Sequence, residues 1–268
     1  MVATGCWWPG WRESGVIEVL AGDSIGLRRC ARLLAEGLVV AVPTDTVYGL
    51  ACDPRIPGAT RRLYSIKVRS PALATAVLVA SVNQLSDLAE ISDAAKRLAT
   101  RYWPGPLTVV VARRAAPGSD SGGSDPGGSG AGVSGTAGAG AAGAGHRGPA
   151  SDGSGLPVER WDLGGEPCTI GVRVPGHTLL RRLLEEAGPL AVTSANPHGR
   201  PPATSISELQ EQFGEDEGAL AAILDGGTCN GVPSTVVDLT GAVLACIRNG
   251  AIPFDDLEAC IGSLRPAG

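Results

Sequence analysis

Pro189-Leu190-Ala191-Val192-Thr193-Ser194-Ala195-Asn196-Pro197-His198-Gly199-Arg200-Pro201 changes character at its middle. The apolar run from Pro189 to Val192 reads as a short buried strand. It ends in a Thr-Ser-Ala-Asn cluster and a Pro/Gly-rich turn. Hydroxyls and a carboxamide at a strand end hydrogen-bond small polar ligands, and small side chains let backbone N–H groups approach them. Taken alone, the stretch reads equally as a polar turn.

Outward from this strand the pattern is mixed. Upstream, Thr169 to Val174 reads as a strand and Thr178 to Ala187 as a helix. Downstream, Ser205-x-x-Glu208 has the form of a capping box for a helix reaching Phe213. Strands are expected at Leu220 to Leu224, Ser234 to Leu239 and Val243 to Ile247. In the first half, Asp23 or Ser24 caps a helix whose apolar face is Leu27, Cys30, Ala31, Leu33 and Leu34, closed by Gly37. Leu38 to Val42, Ala76 to Ala80 and Leu107 to Ala112 read as strands; Thr60 to Ile66 and Asp93 to Tyr102 read as helices. Strands and helices alternate only in part, so the pattern predicts an α/β fold: a mixed sheet with helices on its faces.

Composition narrows the organisation. The chain has 268 residues, of which 4% are aromatic, so its core must be aliphatic. From about Pro117 to Gly155 it is almost entirely Gly, Ser, Ala and Pro. Such a segment cannot bury enough apolar surface to offset its ordering entropy and is expected to be a flexible insert. Residues 1–16 read as a disordered tail, 17–254 as one domain around the insert, and 255–268 as a short C-terminal tail. The net charge of −5 argues against binding nucleic acid by bulk charge. Seven scattered cysteines with no C-x-x-C pair point to neither a metal site nor a disulfide framework, and suit a reducing compartment. No apolar run is long enough for a membrane span.

Four more segments place small, polar or basic residues at strand ends. Pro43-Thr44-Asp45-Thr46-Val47-Tyr48-Gly49-Leu50 offers hydroxyls around a glycine, or is a capped turn. Lys67-Val68-Arg69 puts two cations on one side of an extended segment, facing one anion, unless both are solvated surface charges. In Gly171-Val172-Arg173-Val174-Pro175 the arginine sits between valines. Buried, it needs a partner; otherwise it lies on an exposed face. The last pairs Pro233-Ser234-Thr235-Val236-Val237-Asp238 with Ile247-Arg248-Asn249-Gly250-Ala251-Ile252. No Ser-His-Asp constellation, nucleophile elbow or P-loop accompanies them, so the chemistry rests on positioning anionic and polar substrates beside cations.

These segments, in this order, resemble the YrdC/Sua5 family of threonylcarbamoyl-AMP synthases, of the single YrdC-like domain type. The matching stretches are PTDTVYGLA (43–51), Lys67-x-Arg69, WPGPLTVVV (103–111), GVRVPGH (171–177), AVTSANPHGRPPATS (191–205), PSTVVDL (233–239) and IRNGAI (247–252). The resemblance implies a twisted mixed sheet flanked by helices, with a concave ligand-binding face. It implies a cytoplasmic enzyme that condenses L-threonine, bicarbonate (as CO2) and ATP, with Mg²⁺, to threonylcarbamoyl-AMP and pyrophosphate. A tRNA threonylcarbamoyltransferase then uses the product on adenosine 37 of tRNA, with at most a weak tRNA contact by the synthase itself.

By motif, the resemblance implies that Lys67 and Arg69 face the carbamate and phosphates, while Ser194 and Asn196 coordinate phosphate or ion. Thr46, Arg173, Thr193 and Ser234 would hold threonine, Arg173 by its carboxylate. Thr169, the backbone of Ala195, and Arg248 would line the nucleotide side. The chain departs from the family pattern at Val68, where glycine is usual, at Leu73, often Asn or Lys, and at Asn249, usually proline. An alternative class is a non-catalytic relative that binds RNA or regulates.

Overall fold

A computed structural model describes residues 17–67, 74–114, 161–197, 199–214 and 220–262. The expected tail at 1–16 and insert at 117–155, together with Arg69 and Leu73, lie outside them. In chain order the elements are β1 (Glu18–Leu20), α1 (Ser24–Ala35), β2 (Val40–Val42), β3 (Gly49–Cys52) and α2 (Ala59–Lys67). Next come β4 (Ala76–Leu78), a 3-10 turn (Val82–Leu85), α3 (Asp93–Tyr102), β5 (Leu107–Ala112), β6 (Thr169–Arg173) and α4 (Thr178–Ala187). The chain continues through β7 (Leu190–Ser194), α5 (Ile206–Phe213), β8 (Ala222–Leu224), β9 (Thr235–Asp238), β10 (Ala245–Arg248) and α6 (Phe254–Gly262).

Ten strands form one mixed sheet in the order β1-β8-β2-β3-β7-β4-β6-β5-β9-β10. The pairs β1–β8, β2–β8, β4–β6 and β5–β9 are parallel, and the other neighbours antiparallel. Alternation along the central strands splits the core in two. Val40 and Val42 of β2 pack with Leu27, Leu33 and Leu34 of α1 and with Leu180, Leu183 and Leu184 of α4. Ala41 points the other way, into a cluster with Leu63 of α2, Leu98 of α3, Phe213 of α5 and Leu257 of α6. Central strands covered on both faces must be apolar throughout, which is why they read as continuous runs.

Helix starts follow their capping residues. Asp23 accepts from the Ile25 and Gly26 N–H groups, Ser92 from Ala95, and Ser205 from Glu208. The expected capping box is displaced by one residue: the Glu208 carboxylate bonds the N–H and hydroxyl of Thr204, not the Ser205 N–H. Those bonds hold its pKa below the ordinary glutamate value. Two strands escape the sequence reading. β1 carries Glu18, and β3, Gly-Leu-Ala-Cys, opens on glycine and has no β-branched residue to mark it. Beyond Phe254, where the sequence leaves room for a short helix and tail, α6 forms and packs, with Leu257 fully buried and Tyr102 Oη donating to Asp256 O.

Candidate active site

Strand register divides the singled-out residues between the two ends of the central strands, with Ser194 at one and Arg173, in line with Leu78 and Leu190, at the other. Gly49 at the start of β3 stands opposite Ser194 at the end of β7, and Leu78 of β4 opposite Arg173 at the end of β6. Leu107 at the start of β5 pairs with Thr235 at the start of β9. The loops leaving these ends carry the polar side chains.

One cluster is built around Lys67, the last residue of α2, which is only 6% exposed. Its Nζ donates to Ser194 O at 2.5 Å, Asn196 Oδ1 at 2.9 Å and Ser194 Oγ at 3.2 Å. Ser194 Oγ also donates to Asn196 Oδ1 at 2.8 Å, and Asn196 Nδ2 donates to Arg200 O at 2.6 Å. The expectation that Lys67 and Arg69 share one side of an extended segment is corrected for Lys67, because α2 runs one residue further than its apolar pattern suggests. A helical turn, not strand alternation, aims this side chain.

A second cluster surrounds Arg173, buried at 5% exposure. Its Nη2 meets Asp45 Oδ1 at 2.6 Å, Nη1 reaches Thr46 Oγ1 at 3.3 Å, and Nε donates to Gly105 O at 3.0 Å. Burial lowers the guanidinium's pKa; the Asp45 carboxylate opposes that, and the charge of Arg248 adds to it. Here the open alternatives for Arg173 are resolved: it is buried, and it is paired. Thr44 Oγ1 shapes the loop that presents Thr46 and Asp45, donating to Val47 O at 2.6 Å and accepting from the Thr46 and Val47 N–H groups. Tyr48 fixes the same loop from below. Its hydroxyl donates to Gly227 O at 2.8 Å, and burial pushes its pKa up to about 12.

Ser234, 4% exposed, meets Thr108 and Arg248. The two hydroxyls lie 3.0 Å apart, while Arg248 donates from Nε and Nη2 to Ser234 O and from Nη2 to Ser234 Oγ. Gly250 is required here, since a Cβ would overlap Pro233 O and the Ser234 carbonyl carbon.

Lys67, Ser194 and Asn196 therefore form one cluster and Ser234 and Arg248 another, while Asp45 and Thr46 bring their loop against Arg173. Thr169 opens β6, four residues and roughly 13 Å from Arg173, toward the end of the sheet where β7 finishes at Ser194. Thr193 is buried in register with Leu50, on the sheet face away from Ser194. Ala195 has committed its N–H to Tyr48 O at 2.8 Å, and its carbonyl already accepts from Ala203 at 2.9 Å. Only a spare carbonyl lone pair is left for a ligand. Sequence reasoning passed over Asp45, Thr108 and the Gly105 carbonyl. The signal for Asp45 was a buried arginine in search of a countercharge; neither of the others had one.

The sequence matches the Sua5/YciO/YrdC family, described as telomere recombination, over residues 32–126 and 161–250. It is 33% identical over 242 residues to a threonylcarbamoyl-AMP synthase of Pyrococcus abyssi, covering 89% of this chain and 58% of that protein. With the Bacillus subtilis threonylcarbamoyl-AMP synthase it shares 30% identity over 252 residues, 93% of this chain and 60% of the relative. The chain thus spans a little under two thirds of these relatives. The crystal structure of P. abyssi Sua5 complexed with L-threonine superposes with a TM-score of 0.71 at 31% identity, covering 93% of this chain and 62% of that one. The match takes in more than half of the sequence, and the chain belongs to the Sua5/YciO/YrdC family.

Proposed function

We propose that this protein makes L-threonylcarbamoyladenylate from L-threonine, bicarbonate (as CO2) and ATP, releasing pyrophosphate. A tRNA threonylcarbamoyltransferase then uses the product to modify adenosine 37 of tRNA. The observation that carries this reading is that two buried cations are each set among hydroxyls, Lys67 with Ser194 and Arg173 with Thr46, while Arg248 holds the Ser234 hydroxyl. The names of the relatives and the L-threonine in the P. abyssi structure support it. A cytoplasmic location and a weak contact with tRNA belong to the same proposal. Among the described residues, no helix is long and apolar enough to cross a membrane.

A guanidinium carries five N–H donors, and Arg173 gives three to Gly105, Thr46 and Asp45. The remaining two receive the threonine carboxylate, with the Thr46 and Ser234 hydroxyls beside it. The amine nitrogen, having lost a proton, bonds to the carbon of CO2, and loss of a second N–H proton leaves a carbamate. A carbamate oxygen then attacks the α-phosphorus while the bond to pyrophosphate breaks. Lys67, fixed by Ser194 and Asn196, stabilises the negative charge that grows on the phosphoryl oxygens. Among the described residues no cluster of three or more His, Cys, Asp or Glu side chains is present. Mg²⁺ carried on the triphosphate would be held by Ser194 Oγ, since Asn196 Oδ1 already accepts from Lys67 and Ser194, and would supply charge neutralisation.

The test is pyrophosphate release by the purified chain with ATP, Mg²⁺ and bicarbonate. Release that requires L-threonine, and is absent with serine or without bicarbonate, is expected. A folded chain that releases none contradicts the proposal and favours a non-catalytic relative.

A further inference from the structure

We infer that Asp45 is the group that recognises the α-ammonium of the amino-acid substrate, and so makes the site selective for a zwitterion over a simple carboxylate. This rests on the threonine-binding reading above and adds a residue to it. The argument begins with how Asp45 is used. Only Oδ1 is committed, to Arg173 Nη2, and the backbone carbonyl accepts from Asn230 Nδ2 at 3.1 Å. Oδ2 has no hydrogen-bond partner among the described residues, and the side chain retains 17% of its exposure.

That oxygen lies at a junction. Asp45 and Gly176 line two neighbouring clefts of about 570 and 560 Å³. A Cβ on Gly176 would sit 3.2 Å from Oδ2, so glycine at this position keeps the oxygen uncovered. One cleft is walled near it by Pro104, Pro106 and Val232, and the other also carries His177 and Arg182, neither of which bonds this oxygen.

Charge geometry supplies the ligand. In an α-amino acid the carboxylate and ammonium are separated by a single carbon. Arg173 and Asp45 present the complementary pair, positive beside negative, in direct contact and largely out of water. A zwitterion aligned antiparallel to that pair places its carboxylate on the two remaining guanidinium N–H groups and its ammonium on Oδ2. Salt-bridge formation with Asp45 alone would explain the aim of Arg173, but not the carboxylate oxygen left bare toward the cleft.

Asp45→Asn separates the two roles. The amide oxygen still accepts from Nη2 and keeps Arg173 aimed, while the charge that holds an ammonium is gone. The probes are L-threonine and 3-hydroxybutyrate, which lacks the ammonium, titrated calorimetrically into the full chain and the variant; thermal unfolding checks that both are folded. The variant is expected to bind L-threonine about 10- to 100-fold more weakly, with 3-hydroxybutyrate changed by less than about threefold. Asp45→Glu should recover part of the loss. Gly176→Ala, which crowds Oδ2, should weaken threonine in the same selective way.

Equal weakening of both ligands by Asp45→Asn would mean that Asp45 serves only to hold Arg173, and would overturn the inference. So would unchanged threonine affinity. A different result, no threonine binding by the unaltered chain, would remove the functional reading underneath and this inference with it.

Discussion

Lys67 and Arg173 are both buried cations at strand ends of the same sheet, yet the protein holds them differently. Arg173 has a carboxylate against it, so its charge is balanced before any ligand arrives. Lys67 is gripped by Ser194 O, Ser194 Oγ and Asn196 Oδ1, neutral acceptors at the end of β7. Burying a cation is costly, and each arrangement offsets part of that cost. The comparison teaches a division of labour. The Arg173 side suits a ligand that is itself charge-balanced, such as an amino acid. The Lys67 side suits a polyanion that brings its own excess of negative charge.

Removing Lys67 should have the largest effect on turnover. Lys67→Met keeps the stem and deletes the charge, and threonine-dependent pyrophosphate release should fall by about 100-fold or more, with folding retained. A fall smaller than threefold would break the proposed contrast, since the polyanion side would then not need its cation. Next comes Gly250→Ala. Its Cβ would overlap the Pro233 and Ser234 backbone, so the variant should lose about 1–3 kcal/mol of stability in denaturant unfolding. It should also weaken threonine use through the displaced Ser234. Unchanged stability would mean that the Ser234–Arg248 corner relaxes freely.

The smallest effect is expected from replacing residues 117–155 with a short Gly/Ser bridge. Arg113 Nη2 donates to Trp161 O at 2.8 Å, which already ties the chain ahead of the segment to the chain after it. Closing a shorter loop between tethered ends changes stability little, so thermal unfolding and pyrophosphate release should stay within about twofold of the parent chain. A large loss of activity with stability intact would show that the segment serves the site.

Much of this was legible in the sequence because burial leaves a simple trace. β5 and α3 match their expected bounds residue for residue, since a β-branched run and a capped amphipathic helix have single readings. β3 was illegible because it has neither β-branched residues nor alternation; pairing with β2 and β7, not its own propensity, makes it a strand. At the site, residue types flagged the hydroxyls and cations, and the motif order grouped them. The pairing of Arg173 with Asp45 spans 128 positions and depends on which strand ends meet, something no local pattern encodes. Strand register also sets Thr169 apart from Arg173, although the two share a strand only five residues long.

The most direct measurement of the central claim is equilibrium binding of L-threonine and of ATP with Mg²⁺ to the parent chain, Arg173→Ala and Lys67→Met. The division of labour predicts a crossed result. Arg173→Ala should lose threonine by about 100-fold while ATP changes by less than about threefold, and Lys67→Met should show the reverse. If both substitutions weakened both ligands to the same degree, the two cations would form one undivided site and the account would be contradicted.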